Sequence, residues 1–304
     1  MILRIGPVSI GWPSLAEDKA SQPPPADWWV RSLGASEAAS RRGPEGVRWF
    51  DSGEWSGIET PEWVAWIGNR LKVAATWGGT DGVAVGEARS VVIPAILRRE
   101  GIVDGHGAVL APDPKRPDDG VFITGLSGSG KSTLAISAVL GGARLVSDDS
   151  VAIGLGPDGW RGWSRRSSMS LSAATHRRLL PNGPGQEVDG KVWFDAKSTF
   201  GEQVVESVRV RSVVFLERPS DSRSAPAIAT SFAISPADAY RRLLMGHPIL
   251  AMDRGARKCF KVVRALAELP AYHVVTGTNV LRDPKSVSAA LALLLPLGLW
   301  TDPR

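Results

Sequence analysis

Hydrophobic and polar positions follow two different rhythms along this chain. Up to about residue 88 the apolar stretches are short and broken by glycine and proline. Three of them, Glu62–Ile67, Leu71–Thr76 and Val83–Val85, predict strands, and Gln22–Pro25 predicts a loop. Ser90 to Glu100 then changes to helical spacing, with Gly101 as a stop signal. Further on, Gly120–Thr124 predicts a strand and Lys131–Leu140 a helix closed by Gly141-Gly142. Ala143–Ile153 predicts a strand interrupted by Ser147-Asp148-Asp149-Ser150. Further strands are expected at Lys191–Phe194, Val208–Glu217 and Tyr272–Thr276. Helices are expected at Ser170–Leu180, Pro236–Gly246, Ala256–Leu269 and Lys285–Leu295. Arg218–Ala229, rich in serine, proline and charge, predicts a loop.

Strands that alternate with helices predict an α/β sheet sandwiched by helices. The change of rhythm predicts two domains: a small, mainly β domain over 1–88 and a larger α/β domain over 89–304. Eight tryptophans fall in the first (Trp12, Trp28, Trp29, Trp49, Trp55, Trp63, Trp66, Trp77). Their irregular spacing fits core and interface packing better than a regular binding platform.

Composition narrows the classes. At 43% hydrophobic and 22% charged residues the chain carries enough apolar material for a packed core. The single cysteine, Cys259, excludes an intrachain disulfide and fits a reducing cytoplasm. No Cys/His cluster offers a structural zinc site. The opening Met1–Pro7 lacks a signal-peptide core, and no run of about 18 apolar residues occurs, so no membrane partner is expected. The net charge of +5 fits nucleic acid, an acidic partner or a phosphate-bearing ligand. The basic residues are scattered. Their densest group, Arg254, Arg257, Lys258, Lys261 and Arg264, has near-helical spacing and reads as a solvated face, so nucleic acid is the minor reading.

The candidate chemistry begins at Gly125-Leu126-Ser127-Gly128-Ser129-Gly130-Lys131-Ser132, which satisfies G-x-x-x-x-G-K-[ST] between an apolar strand and a helix. Glycines allow a tight turn whose amides face phosphate oxygens, and a helix N-terminus adds partial positive charge. Lys131 is expected to reach the β- and γ-phosphates of ATP and Ser132 to ligate Mg²⁺, with Thr133 following in the helix. Asp148 and Asp149 sit together in an otherwise apolar strand. Neighbouring strand residues face opposite ways, so one carboxylate is expected toward the phosphates and the other toward metal or backbone. The plain alternative is a strand-edge turn with two solvated carboxylates.

This compact order, with Leu145-Val146-Ser147-Asp148-Asp149-Ser150-Val151 directly after the glycine-rich motif, resembles the HPr kinase/phosphorylase family. Upstream, His106-Gly107-Ala108-Val109-Leu110 is similar to the family's His-Gly strand. Downstream, Glu187-Val188-Asp189-Gly190-Lys191-Val192-Trp193-Phe194-Asp195 and then Phe200-Gly201 resemble its signature. The likeness covers about residues 90–215 and fades toward both ends. It implies a P-loop fold of the phosphoenolpyruvate carboxykinase type and an ATP-dependent kinase. By position, Asp148 would be the general base, with Lys131 and His106 also in the catalytic group. Gly125, Ser127, Gly128, Ser129, Gly130, Lys131, Ser132 and Thr133 would hold ATP. Ser132, Asp149 and Glu187 would hold Mg²⁺. The acceptor would be a serine hydroxyl of a peptide or protein, including the C-terminal serine of a modified-peptide precursor such as a lasso peptide, or free serine. The family forms hexamers, which makes a homo-oligomer an expectation of the resemblance alone.

One position departs. The family places an arginine associated with phosphoryl handling where this chain has Asp189. Either Lys191, Arg254 or Arg257 substitutes, or the chemistry has changed. Two other readings therefore stay open: a non-catalytic nucleotide-binding regulator, and a nucleic-acid-associated NTPase.

Overall fold

The computed structural model describes residues 2–5, 7–11, 28–32, 48–51, 55–60, 63–68, 73–77, 82–218, 228–246 and 256–296. Gln22–Pro25, Trp12 and Arg254 lie outside them, as do the side chains of Trp28, Trp29, Trp49 and Trp77. The chain divides into two compact units, Met1–Val103 with Ile249–Lys261, and Asp104–Pro248 with Val262–Arg304.

The first unit carries a seven-stranded sheet of order β1-β2-β3-β7-β6-β5-β4. Its strands are β1 (Ile2–Ile5), β2 (Val8–Gly11), β3 (Trp28–Ser32), β4 (Arg48–Asp51), β5 (Trp55–Glu59), β6 (Val64–Gly68) and β7 (Val73–Trp77). Expected strands 62–67 and 71–76 correspond to β6 and β7. Val83–Val85 does not form a strand and lies inside helix Gly82–Arg99. Three apolar residues are too few to hold a strand, whereas Val92, Ala95, Ile96 and Leu97 bury one helical face. Trp66 is buried, and Trp55 and Trp63 are half-buried, as packing tryptophans are.

The second unit is built on a nine-stranded mixed sheet with helices. Its main path runs β11-β9-β10-β17-β13-β12-β8, and β19 and β18 extend from β17. The strands are β8 (Val103–Gly105), β9 (Gly107–Ala111), β10 (Asp119–Thr124), β11 (Arg144–Ser147), β12 (Val151–Gly156) and β13 (Gly159–Ser164). A separate three-stranded sheet holds β14 (Ser168–Ser172), β15 (Gln186–Val188) and β16 (Lys191–Asp195). The large sheet continues with β17 (Ser207–Glu217), β18 (Ile228–Ala233) and β19 (Ala271–Thr276). β10, β17 and β19 run parallel at the centre. The eleven-residue β17 pairs with β13 near its start and with β19 near its end.

Helix Lys131–Leu140 is apolar nearly all round because it is covered on two sides. Leu134, Ala135 and Ala138 join a core with Leu110, Ile123, Val214, Val274 and Leu291. Ile136 and Val139 join a second core with Met169, Leu171, Phe194 and Phe200 of the small sheet and its flanks. Two expectations need correction. Ser170–Leu180 begins as β14, since Met169 and Leu171 alternate inward, and only Ala173–Leu179 is helical, capped where the Ser172 hydroxyl accepts from the Thr175 N–H at 3.2 Å. Ala143–Ile153 is two strands that do not pair, since β11 lies beside β9 and β12 beside β13. The residues between them form a turn. Among the described residues no helix is long and apolar enough to cross a membrane.

Candidate active site at the glycine-rich loop

The Gly125–Gly130 loop joins the carboxyl end of β10 to helix Lys131–Leu140. Ligands of open α/β sheets collect at that end of the strands. Gly125 is required by close approach, because a Cβ there would stand 2.4 Å from the Leu216 carbonyl oxygen. Gly130, at the helix N-cap, has φ +97°, and no side chain caps the first turn. The first N–H groups of the helix are thus left without a side-chain acceptor, which suits an anion. Leu126, Ser127 and Gly128 are exposed, while Ser129 is buried with its hydroxyl unpartnered. Lys131 is only 6% exposed, and its Nζ donates to the carbonyls of Gly125 (2.9 Å) and Leu126 (3.0 Å). Burial holds its pKa below the ordinary lysine value. Ser132 and Thr133 are half-buried in the first helical turn.

Asp148 and Asp149 do not alternate across a strand as expected. They form a tight turn in which the Ser150 N–H donates to the Asp148 carbonyl at 2.8 Å. Asp149 has φ +66°, the less favoured hand of such a three-residue turn. The Ser147 hydroxyl donates to the Ser150 carbonyl at 3.0 Å and ties the turn's ends together. The two side chains therefore diverge in environment. Asp148 is 2% exposed, and neither carboxyl oxygen has a hydrogen-bond partner. Burial pushes its pKa up to about 6, with Asp149 adding to the rise. The nearby Ser132 hydroxyl, the Asp149 backbone N–H and the Lys131 ammonium pull the other way. Asp149 is half-exposed, and its Oδ1 lies 3.0 Å from His106 Nδ1. That contact holds the Asp149 pKa below, and the His106 pKa above, their ordinary values.

The structure thus brings together the loop, Lys131, Ser132, Asp148, Asp149 and His106. Glu187 is exposed on β15, in the separate three-stranded sheet. Among the described residues no three His, Cys, Asp or Glu side chains gather as a metal site. Asp189 and Gly190, with φ of +51° and +74°, form the two-residue turn between β15 and β16, where Val188 pairs with Lys191. Asp-Gly between alternating residues is a strong hairpin signal that explains this position locally. Lys191 is exposed beside it.

Sequence reasoning missed the cavity beside the loop, which has a volume of about 780 Å³. Its walls include His106, the loop from Gly125 to Ser129, and Phe215 to Arg218 at the end of β17. Arg241, Arg242 and Met245 of helix Pro236–Gly246 close another side. The consecutive arginines on an amphipathic helix were the available signal. Only the fold shows which loop they face.

No protein-family model matches this chain, and no curated protein matches it. Among solved structures it bears a distant likeness to the Hpr(Ser) kinase/phosphatase from Coxiella burnetii. Identity is 14% and the TM-score 0.35, over 62% of this chain and 96% of that one.

Proposed function

We propose that this chain is an ATP-dependent kinase that transfers the γ-phosphate to a hydroxyl, with Asp148 as general base. The observation that carries the reading is a buried carboxylate with both oxygens unpartnered, set beside the lysine and serine of an uncapped glycine-rich loop. An unpaired buried charge is costly and needs a ligand or function to retain it.

In this reading the loop amides hold the phosphates and Lys131 exchanges its carbonyl partners for phosphate oxygens. Asp148 takes the proton from the acceptor hydroxyl while that oxygen bonds to the γ-phosphorus. The bond from phosphorus to the β-phosphate oxygen breaks, and ADP leaves with the electron pair. His106 fixes Asp149 through the 3.0 Å contact. Ser132 and Asp149 suit a Mg²⁺ site of the usual kind, in which one or two protein groups are completed by phosphates and water. Mg²⁺ would supply neutralisation of charge on the transferring group. Glu187 is a third metal ligand only by resemblance, and Glu187→Gln should then raise the Mg²⁺ concentration needed for activity.

The acceptor we propose is a serine of a peptide or protein, or free serine, and the compartment a reducing cytoplasm, which suits the buried thiol of Cys259. The test is phosphate transfer from labelled ATP to serine-containing acceptors. Asp148→Asn should lower transfer by roughly 10²–10⁴-fold while ATP affinity stays nearly unchanged. Wild-type transfer in that variant would remove the base assignment. A chain that binds ATP but neither hydrolyses nor transfers would favour the regulatory reading.

A further inference from the structure

The kinase reading leaves a phosphoryl-handling cation to be found. Asp189 belongs to an exposed hairpin turn, and Lys191 is exposed beside it. The cavity beside the loop supplies three guanidinium groups instead.

These three differ in what already holds them. Arg241 pairs with Asp238 one helical turn away, at 3.4 Å, and its side chain is largely exposed. Arg218 is exposed at the end of β17. Arg242 is half-buried, with its guanidinium carbon 5.7 Å from the centre of the Phe215 ring. Its Nε is buried without a hydrogen-bond partner, and among the described residues no carboxylate pairs with it. The one acid lining the same cavity, Glu217, is bonded to His273 Nε2 at 2.8 Å. A guanidinium that is stacked on an aromatic face and not paired is pre-organised for an oxyanion.

The cavity borders the loop from Gly125 to Ser129, and Lys131, Ser132 and Asp148 are not among its walls. Lys131 Nζ sits against the carbonyls of Gly125 and Leu126, and both residues line the cavity. His106, which holds Asp149, lines it too. In such loops the amides take the inner phosphates, and the lysine marks where the outer ones lie. The terminal phosphate would therefore project into the space that Arg242 faces. Leu126 and Met245, both more than three-quarters exposed, provide an apolar rim for whatever enters.

We infer that Arg242 engages the terminal phosphoryl group of the bound nucleoside triphosphate and stabilises it during transfer. The inference rests on the nucleotide reading above. It adds a ligand contact from helix Pro236–Gly246, outside the glycine-rich motif and the aspartate turn.

The experiment is titration calorimetry in the presence of Mg²⁺, comparing a non-hydrolysable β,γ-imido analogue of ATP with ADP. Arg242→Met keeps the stem over Phe215 and removes the charge, and Arg242→Lys keeps a charge without the fork. In Arg242→Met the analogue should bind about tenfold or more weakly, with ADP affinity within about twofold of wild type, as expected for one charge-assisted bond to the third phosphate. Arg242→Lys should recover part of the loss. Orthophosphate added to the ADP complex should bind the wild type better than Arg242→Met. Equal losses for analogue and ADP, or no loss for either, overturns the inference while leaving nucleotide binding in place. If the wild type binds neither nucleotide, the kinase reading falls and this inference with it.

Discussion

Two aspartates adopt a left-handed backbone that residues other than glycine seldom take: Asp149, with φ +66°, and Asp189, with φ +51°. The turn at Asp189 is a solvated hairpin tip that needs positive φ at both central residues, and Asp-Gly meets that need at little cost. The turn at Asp149 joins β11 to β12, and it buries Asp148 beside Lys131. A positive φ thus accompanies a hairpin tip in one place and an unpaired buried carboxylate in the other. Strain in the backbone does not mark a site by itself. The cost of the adjacent charge does.

The largest expected effect at the aspartate turn is the loss of transfer in Asp148→Asn. At the loop, Lys131→Ala should weaken ATP binding by roughly 10–100-fold in calorimetry, the value of a charged hydrogen bond or two. Unchanged affinity would detach the loop from nucleotide. Next comes stability. The Asp148 pKa is raised to about 6, so the folded protein holds this proton more tightly than the unfolded chain does. The stability of the ligand-free protein therefore falls as pH rises from about 4 to about 6, and the deficit persists above that range. Asp148→Asn should remove the deficit, gaining on the order of 3 kcal/mol at pH 8 in denaturant titrations and little at pH 4. A variant less stable than wild type at pH 8 would mean that the carboxylate has partners that hold it.

A smaller effect is expected at the half-exposed His106–Asp149 pair. The raised His106 pKa and the lowered Asp149 pKa place its contribution between those two values. It is lost as pH falls through the lowered one or rises through the raised one. His106→Gln should cost no more than about 1 kcal/mol near pH 6 and less at pH 9. The smallest effect belongs to Asp189→Asn, within about 0.5 kcal/mol and without change in nucleotide affinity, since asparagine accepts the same turn.

Much of the second unit was legible because its elements obey local rules. Helix Lys131–Leu140 and helix Pro236–Gly246 begin and end where sequence reading places them. The glycine-rich motif carries its own geometry, which is why its position between strand and helix could be read. The aspartate turn was misread as strand because its flanks, Leu145-Val146 and Val151-Ala152-Ile153, are apolar on both sides. That pattern fits one buried strand or two buried strands equally well, and only the sheet order separates them. Val83–Val85 was misread because three residues carry too little periodicity. Arg242 could not be singled out because its meaning depends on a non-local neighbour, the end of β17, that no spacing along the chain encodes.

The bonds made by Lys131 have a last consequence. Its ammonium does not wait bare in a cleft but is already held by two backbone oxygens of its own turn. If the loop holds a polyphosphate, as proposed, the ligand would displace those internal partners, and binding would draw on the difference between two sets of contacts. Under the kinase reading, such an arrangement would temper affinity and leave the ammonium partnered whenever the site is empty.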